Sequence, residues 1–374
     1  MKTVVLAPDK FKGSLTGTQF CEIVGGILQK NSVNVINLPI ADGGDGTIDV
    51  INHYLSGELV SAKVNDPLFR PVDAKYFYSK ETQKAFIEMA EASGMKLLRK
   101  EEQNCMYTTT FGTGELILDT IKKGAKHIIL GIGGSATNDC GIGMATALGY
   151  QFFDKNGNTV QPKGSELIKI RKIDISKVDS RLKDMKIEVA CDVSNPLYGR
   201  NGAAYTYARQ KGASDKEIEV LDQGLEHFAK IIEQTFNINP QKIKGSGAAG
   251  GMGIASVIFL KAPLIPGIDL IKQLASFDSK IKNADWIITG EGQLDEQTLS
   301  GKALTGVIDS AKKYQIPVGV FCGHSTLNEK ESNDFGIDYV STVMEHAKNL
   351  DDAMIHVETY LKEMTEKFCK THLS

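Results

Sequence analysis

The apolar positions along the chain fall into two textures. Residues 3–7, "TVVLA", are a short unbroken β-branched run, the pattern of a strand buried on both faces. After a polar loop, Phe20, Ile23, Val24, Ile27 and Leu28 recur at helical spacing and form one stripe. This helix has a readable start. Thr16 and Gln19 make a capping box, and Leu15 and Phe20 are placed as a hydrophobic staple. A second apolar run at 33–40 completes a βαβ unit, which calls for a parallel sheet. The same texture returns near the other end. Residues 285–292, 317–323 and 337–341 read as strands, and 300–314 as a helix capped by Ser300. Residues 351–368 read as one amphipathic helix.

The middle of the chain differs. Residues 59–89 read as strands joined by hairpins, and Asn156-Gly157 is the signature of a two-residue hairpin turn. Helices at 113–123 and 214–235 and a buried strand at 186–192 are mixed in. The expected fold class is therefore α/β. An open parallel-sheet, Rossmann-like domain is built from residues 1–60 and 285–374, and a second, α+β domain is inserted at 61–284.

Composition excludes more than it proposes. The chain has 374 residues, is 41% hydrophobic and carries a net charge of −3, with no block of like charge. That argues against a nucleic-acid or anionic-membrane surface, which needs a basic face. No run approaches a membrane span, and the apolar N-terminal run is too short for a signal peptide. None of the six cysteines forms a C-x-x-C pair. The expectation is a reduced, cytoplasmic protein.

Glycine changes the picture, because its 37 residues cluster. Four loops, at 41–47, 131–143, 245–253 and 290–295, are glycine-rich, and three of them follow an expected strand. Ligands of parallel α/β sheets bind beyond the carboxyl ends of strands, where helix N-termini favour phosphate. In the loop after 126–130, Gly133 and Gly134 leave little side chain, and Ser135, Thr137 and Asn138 supply short donors. That composition suits phosphate oxygens, and it also suits a tight strand-to-helix turn. The stretch "GSGAAG", with Gly247 and Gly250 followed by Gly251, matches the dinucleotide fingerprint letter for letter. It lacks the preceding strand that the fingerprint requires, so a nucleotide-dependent oxidoreductase is the distant rival and close helix packing the plain alternative.

Acids and bases stand at expected strand ends. Asp192 follows the run "KIEVAC", and Asp42, Asp45, Glu291 and Asp295 sit in the glycine loops. Lys10, Lys12, Lys211 and Lys302 are nearby cations, each equally readable as a solvated surface charge. Phosphate-holding glycine loops, acids for Mg²⁺ or proton abstraction and lysines for developing negative charge are together the components of phosphoryl transfer.

The stretches "APDKFKGSLT", "ADGGDGT", "TTTFGTGELI", "GIGGSATNDCGIGMATALG", "CDVSNPLYGRNGAA", "QKGAS", "GSGAAGGMG" and "ITGEGQLDEQT" occur in this order. Together they closely resemble the bacterial glycerate kinase family, the type unrelated to P-loop kinases. The resemblance runs from residue 1 to about 323. It departs at Lys10, where serine is usual, and at Cys140, where glycine is commoner. It implies ATP-dependent phosphorylation of D-glycerate with Mg²⁺, by a two-domain protein with a cleft between the domains. It leans toward 2-phosphoglycerate as product, with 3-phosphoglycerate the alternative.

The residues themselves suggest the roles. Asp192 is the candidate general base or, failing that, a Mg²⁺ ligand, with Asp295 a second candidate ligand. Lys302 would meet developing charge. Lys12 and Ser14 would anchor the glycerate carboxylate, and Asp42 and Asp45 would orient its hydroxyls. The loops at 131–139 and 245–251, with Glu291, would hold the nucleotide.

Overall fold

The computed structural model describes residues 1–11, 14–41, 47–295 and 302–373, with the Lys302 side chain excepted. The chain divides into two units, Met1–Tyr54 with Pro266–Ser374, and Leu55–Ile265. Lys12, Asp42 and Asp45, and Ser300 at the expected cap, lie outside the described residues.

Strands are numbered along the chain. The first unit holds β1 (Thr3–Leu6), β2 (Asn34–Asn37), β11 (Trp286–Leu294), β12 (Val318–Ser325) and β13 (Tyr339–Thr342). They form one sheet in the order β13-β12-β11-β1-β2, and every pairing is parallel. Counted within the unit this is the doubly wound order 2-1-3-4-5. It is not the 3-2-1-4-5-6 order of dinucleotide-binding domains, so the Rossmann-like expectation holds only as far as a doubly wound parallel sheet. Strand order reverses between β1 and β11.

Local chemistry explains the first crossover. The Thr16 N–H donates to Gln19 Oε1 at 2.9 Å and the Gln19 N–H to Thr16 Oγ1 at 3.1 Å, closing the expected capping box. The helix Gly17–Lys30 then lays Phe20, Val24 and Leu28 against Val4 and Leu6 of β1. Leu361, Met364 and Phe368 join the same cluster. The closing segment is two helices rather than one, Leu350–Ile355 and Val357–Phe368, broken at His356. The second half buries its stripe, whereas Met354 and Ile355 of the first half are exposed, so one continuous helix would not serve both.

The first unit also takes in residues that the sequence places in the insert. The helices Gly267–Ala275 and Phe277–Ile281 pack beside Lys302–Tyr314. Lys272 Nζ donates to the Gly306 carbonyl at 3.1 Å, and Ser310 Oγ to Asp278 Oδ1 at 2.7 Å. The insert therefore ends at Ile265 rather than near 284.

The second unit holds β3 (Glu58–Asn65), β4 (Pro71–Ser79), β5 (Lys84–Glu88), β6 (His127–Gly131), β9 (Lys186–Ala190) and β10 (Leu264–Ile265) in one sheet. Its order is β10-β9-β6-β5-β4-β3. Strands β5, β6, β9 and β10 are mutually parallel, and β4 and β3 extend the edge as antiparallel hairpins. The expected α+β character is confined to that edge; the centre is α/β, because the chain between β5, β6 and β9 crosses over through helices such as Phe111–Lys123. Strands β7 (Gln151–Phe153) and β8 (Lys172–Asp174) make a separate ribbon. The Asn156-Gly157 turn is wider than two residues. The Asp154 N–H donates to the Asn158 carbonyl at 2.9 Å, and of the pair only Gly157 has positive φ. Among the described residues no helix is long and apolar enough to cross a membrane.

Candidate active site

In the second unit Gly131 pairs in register with Glu88 of β5 and Ala190 of β9. The loops that begin at 89, 132 and 191 therefore leave the sheet side by side, at the carboxyl ends of parallel strands. The β6 loop is stitched to the β5 loop by backbone bonds, Met95 N–H to the Gly134 carbonyl at 3.0 Å and Ala136 N–H to the Ser93 carbonyl at 2.8 Å. Gly133 and Gly134 are exposed, and Gly134 has φ of 70°. Thr137, Asn138 and Asp139 are fully buried. The helix that follows begins at Ile142.

The buried end of this loop is built around Asp139. Its carboxylate accepts from the Thr110 N–H and hydroxyl, both at 2.8 Å, and from the N–H groups of Gly141 and Gly143 at 3.1 and 3.2 Å. Burial still holds its pKa above the ordinary carboxylate value, against the pull of those donors. Lys211 is the buried cation here. Its Nζ donates to Ser135 Oγ at 2.7 Å and to the Thr137 carbonyl at 2.8 Å. Burial pushes its pKa down to about 8, and the Cys105 and Asp139 side chains oppose that shift.

The loop 245–251 lies against the same segment. Ala249, Gly250 and Gly251 all take left-handed backbone angles. The Cys140 N–H donates to the Gly250 carbonyl at 3.0 Å. A Cβ on Gly250 would stand 2.1 Å from the Thr137 carbonyl oxygen, and one on Gly247 2.1 Å from the Pro196 carbonyl oxygen. Gly247, Gly250 and Gly251 are thus buried by backbone-to-backbone packing, and they brace the β6 and β9 loops. The fingerprint reading of this stretch has no support in its setting, since a 3₁₀ turn at Pro240–Lys242 precedes it and no strand leads into it.

Among the described residues, four buried side-chain atoms at this junction have no hydrogen-bond partner: Thr137 Oγ1, both polar atoms of Asn138, and Ser246 Oγ. Unpaired groups of this kind are rare in folded proteins and need a reason, such as a ligand or an ordered water. Asp192, two residues beyond β9 and partly buried, opens the next loop at this end of the sheet. Mg²⁺ commonly takes one or two protein carboxylates and completes its shell with phosphate oxygens and water. Asp192 fits as one such ligand; among the described residues no group of three or more acids, histidines or cysteines is gathered.

In the first unit, Glu291 lies within β11 and Asp295 just beyond it, where Gln293 Nε2 donates to Asp295 Oδ2 at 3.0 Å. Ser14 is exposed, and its N–H donates to the Phe11 carbonyl at 2.9 Å. A cavity of about 390 Å³ opens beside Phe11 and Ser14, floored by Gly292 and Gly323 and walled by Met344 and Met354. It sits where strand order reverses. Lys302 is the first residue of the helix Lys302–Tyr314. Nothing local in the sequence ranks Lys211 above the other lysines or marks Asp139, because their partners Ser135 and Thr110 lie 76 and 29 residues away.

Glycine loops at parallel strand ends, a buried ammonium and unpaired buried polar groups are surroundings in which small-molecule enzymes place their sites. Residues 4–373 match the glycerate kinase family, and the chain belongs to it. It is 45% identical to a glycerate kinase of Bacillus cereus over 97% of this chain and 96% of that one. It is 41% identical to the glycerate 2-kinase of Escherichia coli, covering 94% and 92%. A crystal structure from Salmonella typhimurium LT2, provisionally named glycerate kinase 2, superposes with a TM-score of 0.88 at 37% identity, covering 99% of this chain and 98% of that one. Membership makes this chain a phosphotransferase.

Proposed function

We propose that this chain transfers the γ-phosphoryl group of ATP to D-glycerate and that the product is 2-phosphoglycerate. The observation that carries the reading is the β6 loop. It has exposed Gly133 and Gly134 at its tip, and buried, unpartnered Asn138 and Thr137 side chains beneath, next to the Lys211 ammonium. A phosphate group supplies the acceptors such donors lack, and a preorganised set of this kind stabilises charge without reorganising during reaction. Gly247, Gly250 and Gly251 serve the same site as backing.

Asp192 accepts the proton of the attacking hydroxyl as that oxygen bonds to the γ-phosphorus. The bond to the β-phosphate breaks and ADP leaves with its electron pair. Mg²⁺, held by Asp192 or Asp295, would neutralise phosphate charge. Lys12 and Ser14 anchor the glycerate carboxylate, Asp42 and Asp45 orient its hydroxyls, and Lys302 meets developing charge. The name of the Escherichia coli relative, glycerate 2-kinase, supports the secondary hydroxyl as acceptor.

Incubation with ATP, Mg²⁺ and D-glycerate, followed by phosphorus NMR, tests this directly. A 2-phosphoglycerate signal with matching ADP is expected. A sole 3-phosphoglycerate signal overturns the regiochemistry and leaves the kinase reading standing; no ADP overturns both.

A further inference from the structure

Lys211 is an unusual lysine. Its side chain is buried, and a buried ammonium is costly unless its protons are used. Two of them are used within one loop, on Ser135 Oγ and the Thr137 carbonyl, 76 and 74 residues earlier in the chain. The backbone that carries Lys211 is pinned as well. The Cys105 N–H donates to its carbonyl at 3.1 Å, and Gly212 follows with φ of 90° at a point where a Cβ would stand 1.7 Å from the Gln103 carbonyl oxygen. A rigid mount, a short reach and two acceptors on either side of Ala136 leave the ammonium one geometry. The residues it grips lie directly between the exposed glycine tip and the unpartnered Asn138 amide.

We propose that Lys211 is a positioning residue for phosphoryl transfer, whose ammonium, by holding Ser135 and Thr137 together, fixes the β6 loop in the shape that receives the nucleotide phosphates. The inference rests on the reading of that loop as the phosphate site, and goes beyond it by naming what sets the loop's shape. It also predicts that nucleotide binding weakens as pH rises. A neutral amine keeps only two protons and forfeits the charge-assisted bonds.

The groups facing Lys211 are the Cys105 thiol, the Asp139 carboxyl and, through Cys105, Glu217. Burial pushes the Cys105 thiol up to about 11, so it keeps its proton through the range that matters. Lys211 itself, at about 8 against an ordinary 10.5, loses its proton first. The sign for stability is opposite to the sign for function. Between about 8 and 10.5 the unfolded lysine holds its proton and the folded one does not, so this group favours the folded state more as pH rises. Alkaline weakening of ATP binding that came from Lys211 would therefore not be unfolding.

The test is ATP binding by calorimetry from pH 7 to 9.5, with melting temperature recorded at each pH, for the native chain, Lys211→Arg and Lys211→Met. Native affinity for ATP should fall at least fivefold across pH 8 to 9.5 without a matching fall in melting temperature. Lys211→Arg, which stays charged, should lose most of that dependence. Lys211→Met should weaken ATP tenfold or more at pH 7 while the glycerate KM stays within twofold. Native affinity that is flat to pH 9.5 overturns the proposal, as does an arginine variant that keeps the native dependence. If Lys211→Met fails to fold, the native and arginine profiles still decide. A native chain that binds no ATP at any pH defeats the functional reading as well. Normal turnover with a flat profile defeats Lys211 alone.

Discussion

Asp139 receives both the backbone N–H and the hydroxyl of Thr110 at 2.8 Å each, with both residues fully buried. The Thr110 hydroxyl in turn accepts from the Met144 N–H at 2.8 Å. One carboxylate thus ties the start of one helix, Phe111–Lys123, to the start of the next, Ile142–Ala147, and sets where the β6 loop ends. Asp139→Asn keeps the size but presents an NH₂ to N–H donors. It should cost about 2 kcal/mol, the scale of leaving buried donors unmet. Urea denaturation checks this, and an unchanged midpoint would refute the anchoring role.

Gly250 and Gly134 separate packing from ligand contact. Gly250→Ala must force a Cβ toward the Thr137 carbonyl oxygen at a left-handed position, so a stability loss of about 2 kcal/mol or more is expected. Gly134 is exposed, with only Ala90 near its missing Cβ. Gly134→Asn, a residue that tolerates positive φ, should weaken ATP at least tenfold and lower stability by only about 1 kcal/mol. Nucleotide titration and thermal melting of the two variants decide. Normal ATP affinity in Gly134→Asn would move the phosphate site away from this tip.

Asp192→Asn should reduce kcat by roughly 10²–10⁴-fold, the usual worth of a general base, with the fold intact. The readout is ADP release at saturating ATP and glycerate. Turnover within a few-fold of native would remove Asp192 from proton transfer.

Lys12→Ala should raise the glycerate KM by about tenfold or more, since a charge-assisted hydrogen bond contributes roughly 1.5–3 kcal/mol, and leave ATP affinity nearly unchanged. Steady-state kinetics with each substrate varied in turn reads this. Weakened ATP with normal glycerate would assign Lys12 to the phosphates.

The elements that were legible in the sequence are those specified by near neighbours. Thr16 and Gln19 announce their own helix, because both halves of the capping box lie within three residues. The strand-end position of Gly133 and Gly134 follows from the apolar run just before them. What was not legible depends on distant partners. Lys211 reads as one surface cation among several until Ser135, 76 residues away, is brought to it. The helix Gly267–Ala275 gives no sign of which unit it joins until Lys272 meets Gly306. Gly250 reads as a ligand contact because its reason for being glycine, the Thr137 carbonyl, belongs to another loop.

The position of β1 has a consequence for synthesis on the ribosome. It is an interior strand of its sheet, flanked by β2 and β11. Its β11 neighbour is encoded some 280 residues later, as the Thr3 N–H to Asp285 bond records. The stretch 55–265, by contrast, is contiguous, and every strand of its six-stranded sheet emerges before Pro266. The chain's first apolar strand must therefore wait, half paired, while the whole insert is translated, and the last-made third of the polypeptide completes what the first residues began. Such long-range closure is slow and leaves an unsatisfied strand edge exposed in the meantime. A nascent chain stalled before residue 286 should be the form most in need of a chaperone.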